Sequence, residues 1–143
     1  MPPTQILTHS PVETEAWAAQ LAATLSGGAV IALTGELGAG KTVIAKGIGQ
    51  GLGVRESVIS PSFNYVLEYR GRLPLFHADL YRLDGAADFR TLGLDEYFDR
   101  GGVFVIEWAE RVRDLLPAGT LLIEIAPGAS ESERRITVQR IGA

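Results

Sequence analysis

Gly35-Glu36-Leu37-Gly38-Ala39-Gly40-Lys41-Thr42 is a glycine-rich run closed by a lysine and a hydroxyl. This spacing suits a loop whose backbone N–H groups turn inward onto phosphate oxygens, the P-loop pattern. In that chemistry Lys41 adds a point charge on the β and γ phosphates, and the Thr42 hydroxyl ligates Mg²⁺. A P-loop also needs a carboxylate near the metal, commonly where a neighbouring apolar strand ends. Two acids qualify. Val103-Phe104-Val105-Ile106 delivers Glu107, and Leu75-Phe76-His77-Ala78 delivers Asp79. Either could instead cap a helix.

Trp108 follows one of these acids directly. Its indole could gate the site, pack on a substrate, mark a partner surface or simply fill the core. Ser60-Pro61-Ser62-Phe63 is either an ordinary turn or a loop in the place where nucleotide-sensing switches occur. His9 and His77 have no metal-ligand spacing, which argues against zinc. Recognition of guanine by an Asn-Lys-x-Asp motif is excluded, because Asn64 is the only asparagine and no lysine follows Lys46.

The P-loop reading requires a strand before the loop and a helix after it. Ala29-Val30-Ile31-Ala32-Leu33 reads as a strand buried on both faces, and a helix is expected from Lys41 to Leu52. Ile44, Ile48 and Leu52 share one face of that helix. Gly47, Gly49 and Gly51 each cost about 1 kcal/mol against Ala, so packing must hold it. Upstream, Thr4–Thr8 suits a short strand, and Ser10-Pro11-Val12-Glu13 offers an N-cap, a proline at the first helical position and a capping box. The helix it opens carries Trp17, Leu21 and Leu25 on one face and should stop at Gly27-Gly28.

Downstream, Phe63, Tyr65, Leu67 and Tyr69 alternate, Arg70-Gly71-Arg72 forms a turn and Leu73–Phe76 resumes an extended pattern, which predicts a hairpin. Asp84 can cap a short helix ending near Gly93, and Asp99-Arg100-Gly101-Gly102 reads as a turn. Val103–Ile106 is a second buried strand, Trp108–Leu116 suits a helix, and Leu121–Ile125 and Arg135–Ile141 are closing strands around a loop-like 128–133 stretch. The expected fold is α/β: a P-loop NTPase-like mixed sheet flanked by helices, with antiparallel additions.

With 143 residues of which 46% are hydrophobic, the chain is expected to form one domain around one core. Thirteen Lys and Arg against 17 Asp and Glu leave a formal charge of -4, which lacks the basic footprint of autonomous nucleic-acid binding. Cysteine is absent, removing disulfides and thiolate chemistry. The start, Met1-Pro2-Pro3-Thr4-Gln5, lacks the basic and apolar regions of a signal peptide, and no apolar run approaches a membrane span, so a cytoplasmic protein without membrane contact is expected.

The P-loop run, Ser60–Phe63, His77-Ala78-Asp79-Leu80-Tyr81-Arg82-Leu83, Leu92-Gly93-Leu94-Asp95-Glu96-Tyr97-Phe98 and Ile106-Glu107-Trp108-Ala109-Glu110 occur in one order. In this the chain resembles the bacterial TsaE (YjeE) family, from about residue 10 to the end. The resemblance implies a small ATPase required for threonylcarbamoyladenosine modification of tRNA, acting with the TsaD and TsaB subunits and meeting tRNA only through them. It implies ATP and Mg²⁺ as cofactors. By position, Glu36, Leu37, Gly38, Ala39, Gly40, Lys41 and Thr42 would bind the nucleotide with Trp108 beside them. Thr42 and Glu107 would ligate the metal, and Lys41, Asp79 and Glu107 would serve hydrolysis. Three positions depart from the usual pattern: Glu36 stands for Asp, Ser62 for Thr, and Ala87-Asp88 for two acids. The rival readings are a small-metabolite kinase, for which no arginine-bearing lid fits this length, and a nucleotide-sensing interaction module with negligible hydrolysis.

Overall fold

A computed structural model describes residues 3–36, 38–61 and 65–142. Seven strands form one mixed sheet: β1 (Thr4–Thr8), β2 (Val30–Thr34), β3 (Val66–Arg70), β4 (Pro74–Asp79), β5 (Val103–Glu107), β6 (Leu121–Pro127) and β7 (Arg134–Arg140). Their order across the sheet is β1-β7-β6-β2-β5-β4-β3. The central β6-β2-β5-β4 strands run parallel, while β3, β7 and β1 are added antiparallel at the two sides. This is the expected α/β mixed sheet. β2 and β5 are buried on both faces, as continuous apolar runs in parallel strands must be.

Helices α1 (Pro11–Ala23) and α2 (Lys41–Gly51) cover one face, burying Ile31, Leu33, Ile44, Ile48, Leu75 and Val105 between them and the sheet. The other face is covered by α3 (Ala86–Thr91) and two 3₁₀ segments, Leu94–Asp99 and Ala109–Leu115, over Phe76, Phe104 and Ile106. No helix of the described residues is long and apolar enough to cross a membrane.

The three glycines of α2 have a packing explanation, Gly49 against Val58, whose Cγ2 would lie 2.6 Å from a Cβ there, and the other two against α1. A Cβ at Gly47 would strike the Glu15 carbonyl and lie 2.6 Å from the Ala18 Cβ, and one at Gly51 would strike the Ala19 carbonyl and lie 2.6 Å from the Ala22 Cβ. The helix gives up propensity so that its backbone can lie directly on α1. Accordingly the fully buried stripe of α1 is Ala18 and Ala22, whereas the larger Trp17, Leu21 and Leu25 flank it half-buried.

Several local expectations need correction. Ser10 does cap α1, its Oγ accepting from the Glu13 N–H at 3.1 Å, but the Glu13 carboxylate turns back to the His9 N–H at 3.3 Å. The helix ends at Ala23, short of Gly27-Gly28, with Thr24 as its C-cap, and the Arg72 guanidinium of the β3–β4 turn donates to the carbonyls of Ala22 and Leu25 at 2.9 and 2.8 Å, satisfying acceptors at that end. Gly85, not Asp84, precedes α3; the Asp84 backbone N–H donates to Asp88 Oδ2 at 3.2 Å. The stretch after Trp108 is a 3₁₀ segment broken at Val112 in place of the expected helix. The hairpin stands as β3 and β4, with the Phe63 part of its pattern outside the described residues.

Candidate functional site

The carboxyl ends of β2, β4 and β5 lie side by side, since Glu107 pairs with Leu33 on one side and Asp79 on the other. Ligands of open α/β sheets bind at this edge. The P-loop leaves β2 there and enters α2 through Gly40, whose φ of 117° is left-handed and suits glycine. No side chain of the described residues caps α2, which leaves its first-turn N–H groups available to an anion.

Lys41 is 5% exposed. Its ammonium donates to the carbonyls of Gly35 at 2.5 Å and Glu36 at 2.9 Å, and sits 4.0 Å from the centre of the Trp108 ring. Burial pulls the amine below its ordinary pKa, and the carboxylates of Glu107, Glu110 and Asp79 partly restore it. Trp108 is held over the lysine by an unusual backbone: it adopts φ 59°, a left-handed conformation costing a non-glycine residue about 1–2 kcal/mol. Tyr81 packs against the same indole with ring centres 5.1 Å apart, and Arg111 lies over it.

The Thr42 hydroxyl is 3.2 Å from both carboxylate oxygens of Glu107, which is 3% exposed. Asp79 does not share that bond. It accepts from the Ser60 hydroxyl at 3.0 Å and from the Tyr81 N–H at 3.0 Å, which ties the 60–61 segment to the end of β4. Lys41, Thr42, Asp79, Glu107 and Trp108 all line one cavity of about 360 Å³. Gly38 and Gly40 complete its loop side, Ala39 is buried beneath, and the Glu36 side chain is exposed. Leu37 and Ser62 lie outside the described residues.

A buried carboxylate and a hydroxyl 3.2 Å apart are hard oxygen donors that fit Mg²⁺. No group of three or more His, Cys, Asp or Glu able to hold a metal occurs among the described residues.

Two residues escaped the sequence reading. His77 is buried with Nε2 2.6 Å from Glu107 Oε2, a contact foreshadowed by the His-x-Asp spacing on one strand face. Arg134 donates from Nε to the Ala39 carbonyl at 3.1 Å, pinning the P-loop from β7 across 95 residues, which no local signal announces. Beside it a second cavity of about 330 Å³ is lined by Pro11, Thr14, Ala39, Val43, Ile125 and Arg134. Another cavity, about 490 Å³, lies at the opposite end of β2 and is lined by none of these residues.

The family described as "Threonylcarbamoyl adenosine biosynthesis protein TsaE" matches residues 8–136. A Bacillus subtilis relative named tRNA threonylcarbamoyladenosine biosynthesis protein TsaE is 44% identical over 136 residues, covering 94% of this chain and 84% of that protein. One of the same name from Treponema pallidum is 41% identical over 132 residues, covering 92% and 97%. The crystal structure of Bacillus subtilis YdiB superposes with a TM-score of 0.84 at 41% identity, covering 99% of this chain and 87% of that one. Matched over most of its length in sequence and in fold, the chain belongs to the TsaE family.

Proposed function

We propose that this chain is a Mg²⁺-dependent ATP hydrolase that supports threonylcarbamoyladenosine modification of tRNA within a complex with TsaD and TsaB, without itself transferring the threonylcarbamoyl group. The observation that carries this reading is the meeting of Lys41 and Thr42, from the first turn of α2, with Asp79 and Glu107, from the ends of the parallel strands β4 and β5, around one cavity. Lys41 has three donors and uses two on loop carbonyls, so one is left for phosphate. Thr42 and Glu107 would hold Mg²⁺, which when bound neutralises charge on the phosphate oxygens. Asp79, apart from that pair but on the same cavity, would support hydrolysis or the metal's water shell. The second cavity, apolar at Val43 and Ile125 and adjoining the loop at Gly38–Gly40, would take the nucleoside.

The acidic chain brings little of the basic surface that counterion release from tRNA requires, which supports leaving RNA to the partners. Hydrolysis measured for the chain alone, then with TsaD, TsaB and tRNA, tests the proposal. Turnover should be slow alone, rise with the partners and restore repeated cycles of modification. Phosphate transfer to a small acceptor in preference to water would favour a kinase, and tight ATP binding with no turnover in the full complex would favour a sensing module.

A further inference from the structure

His77 is fully buried, 0% exposed, on the face of β4 that also carries Leu75. Its Nε2 lies 2.6 Å from Glu107 Oε2, while Nδ1 has no hydrogen-bond partner among the described residues. An ionised carboxylate only accepts, so the hydrogen of this bond sits on Nε2. Burying an unsatisfied ring nitrogen is unfavourable, and an aliphatic side chain like that of Leu75 would avoid it. The bond from Nε2 to Glu107 is what the imidazole adds.

Strand register makes the reach possible. Asp79 pairs with Glu107 and His77 pairs with Val105, so His77 is the diagonal neighbour of Glu107 on one sheet face, a separation long side chains span. Thr42 approaches both Glu107 oxygens at 3.2 Å, whereas His77 engages Oε2 alone and at shorter distance. Such a contact fixes the plane of a flexible carboxylate and leaves Oε1 unshared with the imidazole.

We propose that His77 is a positioning residue that, through Glu107 Oε2, holds the carboxylate so that Oε1 and the Thr42 hydroxyl face the same cation. The inference rests on the Mg²⁺-ATP reading above. Among the described residues His77 makes no hydrogen bond to the glycine-rich loop, so its loss should weaken the metal-dependent part of nucleotide binding and leave the metal-free part alone.

The test follows a fluorescent ATP analogue titrated onto the chain, first in excess chelator and then at rising Mg²⁺. His77→Leu should keep the metal-free affinity of the wild type and raise the Mg²⁺ concentration for half-maximal tightening by about tenfold or more. His77→Gln, whose amide can put a donor where Nε2 stands, should recover most of that shift, and the shorter His77→Asn should not. An unshifted Mg²⁺ midpoint in folded His77→Leu overturns the inference. So does a shift in His77→Gln as large as in His77→Asn, a comparison that decides the matter if His77→Leu does not fold. Wild-type protein whose analogue binding ignores Mg²⁺ would instead overturn the ATP reading, and this inference with it.

Discussion

The Lys41 ammonium lies 4.0 Å from the centre of the Trp108 ring while donating to the carbonyls of Gly35 and Glu36. The residue expected to touch phosphate is thus also the clasp between the two ends of its own loop, and an aromatic face screens it from water. Lys41→Ala removes a charged donor whose phosphate bond is worth about 1.5–3 kcal/mol. Nucleotide affinity should fall roughly 10- to 100-fold on that scale, with an unchanged circular dichroism spectrum. Unaltered affinity in calorimetry would remove the P-loop assignment.

The pH response of Lys41 has a definite sign. Its folded pKa lies below 10.5 because burial disfavours the charged amine. Between the folded and unfolded values the unfolded chain holds more protons, so stability rises with pH across that window. The wild type should therefore gain on Lys41→Met as pH climbs toward 10.5, read as the difference between their urea midpoints. A difference that stays flat or falls contradicts the burial of a charged lysine.

Glu107→Gln keeps the side chain's shape and discards the charge a hard cation needs. Mg²⁺-stimulated hydrolysis should drop by at least about tenfold while metal-free nucleotide binding is largely kept. Asp79→Asn leaves the Thr42–Glu107 contact intact and should slow turnover without moving the Mg²⁺ requirement. The opposite pattern would exchange the roles of the two acids.

Much of this site was legible because its signals are local. The apolar runs of β2 and β5, the glycine spacing between β2 and α2, and the acids at strand ends each sit within a few residues of the feature they specify. What stayed hidden depends on contacts distant in sequence. Arg72 binds the carboxyl end of α1 from the β3–β4 turn, Arg134 pins Ala39, and the His77–Glu107 bond exists only in one register of β4 on β5. The region after Trp108 misled for another reason. Its composition suits a helix, but the left-handed start at Trp108 and the break at Val112 leave only short 3₁₀ turns.

Gly47→Ala separates helix propensity from packing. On an isolated helix it would stabilise by about 1 kcal/mol. Here the new methyl meets the Glu15 carbonyl and the Ala18 Cβ, backbone and near-backbone atoms that cannot rotate away. Overpacking of this kind costs about 1–3 kcal/mol, so the net effect should be destabilising and visible as a lower melting temperature. Gln50→Ala, at an exposed position of the same helix, should stay close to the wild type.

Trp108 offers the sharpest reading of site against core. Its indole is half-buried against the apolar cluster of Phe104 and Ile106, yet it also stacks with Tyr81 and Lys41 on the cavity wall. If the Lys41 ammonium, 4.0 Å from the ring centre, takes a phosphate as proposed, the ring should feel the redistribution of charge when a nucleotide arrives. Trp17 on α1 is the only other tryptophan, so in a Trp17→Phe background the fluorescence reports on this ring alone. Mg²⁺-ATP should change its intensity or its access to a quencher. Trp108→Ala should impair partner-stimulated turnover more than ATP binding, since an exposed indole edge commonly anchors an interface and its truncation costs about 2 kcal/mol or more. The same variant relieves little of the left-handed strain, because alanine carries a Cβ as well, so a stability loss would measure the lost ring contacts. A silent Trp108 whose alanine variant melts earlier but keeps full activity per folded molecule would make the indole a core residue and nothing more.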